Sequence, residues 1–149
     1  YWKSVGGLNM LPGTNRSQDR FARASFYVSI LPKNASHQTA LAGIFGIIGN
    51  CAVPTGISDP EKPEISTTQW RSVSDQREMV YYFRRTETPS IIWIDLKEFD
   101  IYPGSPIMKL DLMSPHKMLS GNVIKEMKPS KGFSPMYELT PEIAKAFGG

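Results

Sequence analysis

Two kinds of hydrophobic spacing divide the chain, and each predicts a different kind of element. Between residues 17 and 50 apolar residues recur at intervals of three and four, the repeat that places side chains on one face of an α-helix. Phe21, Ala24, Ser25 and Val28 make the first such face. The turn-rich stretch Leu11-Pro12-Gly13-Thr14-Asn15 leads into it, with Ser17 expected to cap the helix and Asp19 to complement the positive end of its dipole. Pro32 ends it. A second helix is predicted from Gln38 to Asn50, where Leu41, Ile44, Phe45 and Ile48 form the apolar face and Gly43, Gly46 and Gly49 a smooth strip. An interior glycine costs a helix about 1 kcal/mol relative to alanine, so the strip implies close packing against a neighbour. Cys51 falls at the end of this helix and reads as a small buried hydrophobe.

Beyond a proline-rich connector, residues 54–63, the period changes to two. Thr68, Trp70 and Ser72 alternate with Gln69, Arg71 and Val73, and the segments 79–84 and 90–96 are rich in Val, Ile, Tyr, Phe and Trp. The joins Ser74-Asp75-Gln76-Arg77 and Thr86-Glu87-Thr88-Pro89 are short and polar, which suits only antiparallel neighbours, so a three-stranded meander is expected. Residues 107–112 are expected to add a fourth strand, and Thr140-Pro141-Glu142 reads as a helix start. Helices followed by antiparallel strands define an α+β chain, and residues 1–149 are enough for one domain with a hydrophobic core, which does not by itself make the chain a whole domain. The glycine spacings lie inside an apolar helix and not between a strand and a helix, so they give no phosphate loop.

Composition narrows the functional classes. Hydrophobic residues at 40% and charged residues at 21% are ordinary for a folded domain. The net charge of +3 is spread without long runs, and the cluster Arg77, Arg84 and Arg85 is interrupted by Glu78 and Glu87, which reads as a solvated face and not as a nucleic-acid surface. One cysteine excludes an intrachain disulfide, and His37 and His116 have no partner at a zinc-type spacing, so both read as surface histidines and neither metal nor cofactor is called for. The apolar stretch 39–53 is too short to cross a bilayer. The opening Tyr1-Trp2-Lys3-Ser4-Val5-Gly6-Gly7 is not a signal peptide and suggests a fragment.

No nucleophile and base are paired by any recognisable spacing. The one residue out of place is Arg20, a cation in the first turn of the predicted helix, where the dipole favours an acid. It is either functional or a surface arginine paired with Asp19 or a more distant acid.

The segment Leu11-Pro12-Gly13-Thr14-Asn15-Arg16-Ser17-Gln18-Asp19-Arg20-Phe21-Ala22-Arg23-Ala24-Ser25-Phe26 resembles the choloylglycine hydrolase family, in which an LPG turn enters S-x-x-R-F-x-R-A at a helix start. Thr68-Gln69-Trp70, the Asp75 turn, Tyr81-Tyr82-Phe83 and Trp93-Ile94-Asp95-Leu96 resemble the pattern that follows it. The likeness is good to about Asp100, loose beyond Tyr102, and greatest to Bacteroides-type members. It implies an αββα sandwich of the N-terminal-nucleophile class, of which this chain would be the C-terminal half, and hydrolysis of a linear amide in a small molecule. Conjugated bile salts are the first expectation, penicillin V-type amides the alternative, and a non-catalytic binding or scaffold module a third. The family's nucleophile is an N-terminal cysteine, with an arginine, an aspartate and asparagines beside it, all outside this sequence; Cys51 is internal and cannot replace it. Of the family's catalytic group only Arg20 carries over, with Arg23 read as structural, and the chain alone is expected to be inactive. The resemblance also implies a homo-oligomer when complete, with a periplasmic or secreted location plausible and a cytoplasmic one the alternative.

Overall fold

The computed structural model describes residues 10–57, 60–61, 66–113 and 118–132. Helix α1 (Ser17–Ile30) and helix α2 (His37–Asn50) come first. They are followed by strands β1 (Trp70–Asp75), β2 (Val80–Arg85) and β3 (Ile92–Asp95), then β4 (Ile107–Lys109), β5 (Gly121–Asn122) and β6 (Lys128–Ser130). The main sheet runs β1-β2-β3-β5, antiparallel except for the parallel pairing of β5 with β3. This is the α+β arrangement that the change of period predicts. The expected fourth strand forms over a shorter span and elsewhere: β4 pairs with β6 in a separate two-stranded sheet. The expected helix start at Thr140 and the histidine His116 lie outside the described residues.

Cross-strand register fixes which side of the sheet the helices cover. Val73, Tyr82 and Trp93 are directly opposite one another on successive strands and therefore share a face. On that face Phe45 of α2 meets Tyr82 edge-on at 6.1 Å between ring centroids, and Tyr82 in turn lies 6.1 Å from Trp93. Ile47, Val53, Ile92 and Val123 are the buried apolar residues. On the opposite face Trp70, Ser72 and Ser74 stand exposed along β1.

The first helix keeps its predicted span but turns a different side inward. Phe21 and Val28 are 74% and 53% exposed, and Ser25 is exposed, whereas Arg23 is buried and Arg20, Ala24 and Tyr27 are half-buried. The 3.6-residue spacing holds, but the side turned toward α2 carries Arg20 and Arg23 and not the predicted apolar residues. Ser17 is not the cap either. Arg16 occupies the cap position without a side-chain bond, and Thr14 Oγ1 instead donates to Asp19 in the first turn. The end of α1 follows its sequence: Leu31, preceding Pro32, is extended (ψ 135).

In α2, Ser36 caps the helix by accepting a hydrogen bond from the Thr39 amide at 3.2 Å. The glycine strip does not act uniformly. A Cβ at Gly43 would lie 2.8 Å from Leu31 Cδ2 and one at Gly49 would lie 3.3 Å from Arg71 Nη1, so these two permit close approach. Gly46 faces a groove of about 330 Å³ shared with Tyr27, Leu31 and Ile47, and nothing lies within 4 Å of its added Cβ.

At the other end of α2, His37 Nε2 contacts Asp75 Oδ2. Asp75 also accepts from the Arg77 and Glu78 amides at 3.1 and 3.0 Å, closing the β1–β2 turn in which Met79 takes a left-handed φ of 57°. The Glu78 amide first, and then His37, hold the Asp75 carboxyl below its ordinary value.

Two outcomes follow from these contacts. Gly46→Ala stabilises the chain by about 0.5–1 kcal/mol through helix propensity alone, while Gly43→Ala forfeits that gain by displacing Leu31; urea unfolding of both variants checks this. A depressed folded pKa at Asp75 contributes stability above the unfolded value of about 3.9 and loses it as pH falls through the folded one. The Asp75→Asn chain, which keeps the turn acceptor but not the charge, is therefore less stable than wild type near neutrality, and the two curves converge as the pH is lowered.

Candidate functional site at the end of helix α2

The last turn of an α-helix leaves carbonyls without helical partners and carries the negative end of the dipole. In α2 these carbonyls are met by arginines. Arg20 donates from Nε to Cys51 O at 2.7 Å. One turn along α1, Arg23 donates from Nε to Asn50 Oδ1 at 3.1 Å and from Nη2 to Asn50 O at 3.5 Å. Arg23 Nη1 reaches back to Pro12 O and Thr14 O at 2.8 and 2.9 Å, so the same guanidinium holds the LPGT turn. Cys51 Sγ returns a bond to Arg20 O at 3.4 Å.

The two arginines differ in what they have left to offer. Arg23 is 8% exposed and has all three nitrogens engaged. Its partners are carbonyl and amide oxygens, with no carboxylate among the described residues, and the planar fork is what lets one side chain serve acceptors in two directions. Arg20 uses only Nε, and its two Nη nitrogens make no hydrogen bond among the described residues. Its guanidinium is therefore oriented at one edge and free to donate at the other. Asp19, its sequence neighbour, bonds to Thr14 and not to Arg20, and no ion pair of Arg20 with another acid occurs among the described residues.

More positive charge approaches the same helix end from the sheet. Arg71 and Arg84 are direct cross-strand partners, and their Nε atoms are buried without a hydrogen-bond partner among the described residues. Burial first, and then the Arg84 charge, hold the Arg71 guanidinium below its ordinary value. The expectation that Arg84 lies on a solvated face with Arg77 and Arg85 is corrected by its buried Nε, and nothing in the sequence marked Arg71. The burial of Arg23 also went unread, although its position three residues after Arg20 was the available signal, since that spacing puts both on one helix face. Cys51 is half-buried and tied to Arg20, more than the passive hydrophobe expected. No cluster of His, Cys, Asp or Glu suited to a metal occurs among the described residues, and no described helix is long and apolar enough to cross a membrane.

Comparison with known proteins places this geometry. The profile of linear amide C–N hydrolases, choloylglycine hydrolase family, matches residues 1–115. A penicillin V acylase of Pectobacterium atrosepticum is 40% identical over 148 residues, an alignment covering 89% of this chain and 39% of that protein. The structure of penicillin V acylase from Agrobacterium tumefaciens superposes with a TM-score of 0.77 at 41% identity, over 89% of this chain and 43% of that one. The fold is thus shared with a solved penicillin V acylase. The chain belongs to the choloylglycine hydrolase family, and it spans about two fifths of the length of these relatives.

The difference between the two arginines has a thermodynamic signature. Arg23→Ala loses four hydrogen bonds and lowers unfolding free energy by about 2–4 kcal/mol, whereas Arg20→Ala, losing one bond, costs about 1 kcal/mol. Chemical denaturation of the two variants side by side tests this.

Proposed function

We propose that this chain is the part of a cysteine amidase that supplies a fixed arginine to the reaction, and that the nucleophile resides outside these 149 residues. The observation carrying the reading is the half-engaged guanidinium of Arg20, anchored through Nε and unengaged at both Nη nitrogens among the described residues, within the segment that resembles the family's S-x-x-R-F motif. Attack on an amide needs a thiolate and develops negative charge on the carbonyl oxygen. A pre-oriented guanidinium lowers the thiol pKa and stabilises that charge without reorganising during the reaction. Membership of the family supports amide hydrolysis as the reaction class.

Between the two substrate readings, the names of the relatives favour penicillin V-type acyl amides over the conjugated bile salts that the motifs alone put first. Both belong in the assay.

In the complete enzyme, Arg20→Ala lowers kcat by more than tenfold, since one pre-organised donor commonly contributes about 2.7–4 kcal/mol to the transition state. Lysine restores part of the rate as a point charge without the planar fork. Steady-state kinetics on penicillin V and on glycine- and taurine-conjugated bile acids measure both. Near-normal turnover by Arg20→Ala would refute the assignment. The 149-residue chain by itself turns over neither substrate.

A further inference from the structure

We infer that Arg23, together with Asn50, is the positioning residue for Arg20. The inference rests on the catalytic reading of Arg20 given above. The two arginines are three residues apart on one face of α1, and their acceptors, Asn50 and Cys51, are adjacent at the end of α2. They form two rungs between the helices. The rung at Arg20 is a single main-chain bond of 2.7 Å from a half-buried side chain, which by itself allows the guanidinium to pivot about Nε. The rung at Arg23 cannot pivot, because the group is buried and bonded on both sides, to Asn50 in α2 and to Pro12 and Thr14 ahead of α1. Arg23 therefore fixes the distance from the start of α1 to the end of α2, which is the distance that places Cys51 O under Arg20 Nε.

Burying a guanidinium with no carboxylate beside it is an expensive way to join two helices, and an apolar pair would pack them as well. What the arginine adds is direction. Acceptors on two separate segments, the turn ahead of α1 and the end of α2, must both be in place for its fork to be satisfied. A displacement of about 1 Å at a reacting group is enough to cost on the order of a hundredfold in rate, so this precision bears on turnover.

The test compares wild type, Arg20→Ala, Arg23→Lys and the double variant in the complete amidase. Arg23→Lys lowers kcat about tenfold with KM within about twofold, and shifts the acidic limb of the rate profile to higher pH, in the same direction as Arg20→Ala. The double variant is no slower than Arg20→Ala, because Arg23 acts only through Arg20. Multiplicative losses in the double variant, or an unchanged kcat in folded Arg23→Lys, overturn the inference. If Arg23→Lys does not fold, Asn50→Ala takes its place: it removes the Nε acceptor and keeps the bonds to Pro12 and Thr14. Should Arg20→Ala itself retain full turnover, the catalytic reading fails, and the clamp is judged separately from exchange of the Arg20 Nε–H in ¹⁵N spectra of this chain. Exchange at least about tenfold faster in Arg23→Lys or Asn50→Ala supports it, and equal exchange rules it out.

Discussion

The carbonyls at the end of α2 need donors, and the arrangement of the described chain can be read outward from how they get them. Gly49, Asn50 and Cys51 end the helix with its negative pole, and arginines from two directions converge there: Arg20 and Arg23 from α1, Arg71 from the sheet. The opposite pole of the helix meets Asp75, which also closes the first strand turn. Along β1 the charge thus runs from arginine to aspartate in the sense that complements the dipole above it. The helix and the sheet beneath it are matched electrically along β1 as well as by the contact of Phe45 with Tyr82 of β2.

That matching explains why α1 departs from the orientation its apolar residues suggest. Rotating Phe21 and Val28 toward α2 would carry Arg20 and Arg23 away from their acceptors on Asn50 and Cys51. Each apolar side chain gains about 1.5–3 kcal/mol on full burial. A hydrogen bond contributes about 0.5–1.5 kcal/mol net, and the two arginines make five, so the polar term is of the same size. Phe21 and Val28 stay exposed in this chain, which spans about two fifths of the length of its relatives.

Much of the architecture was legible because it follows from local rules. The change of hydrophobic period between residues 50 and 70 separates helices from strands, Pro32 marks the end of the first helix, and the Asp75 turn makes β1 and β2 antiparallel. What could not be read depended on partners distant in sequence. The pairing of β4 with β6 joins residues about twenty positions apart with no tight turn to announce it. The bonds from Arg23 to Pro12 and Asn50 span 11 and 27 positions. At the site, the awkward place of Arg20 was visible in a single turn of sequence, whereas the group that holds it was not, since a buried arginine and an exposed one look alike in a string of letters.

Except for Asn50 Oδ1, every acceptor in the two arginine rungs is a main-chain carbonyl. Such oxygens do not titrate, and every residue type carries one. The geometry around Arg20 is thereby insulated both from the acidity of the surroundings and from much of the amino-acid replacement at positions 14 and 51. The sequence near the site has room to drift, provided that the backbone path and the two arginines remain.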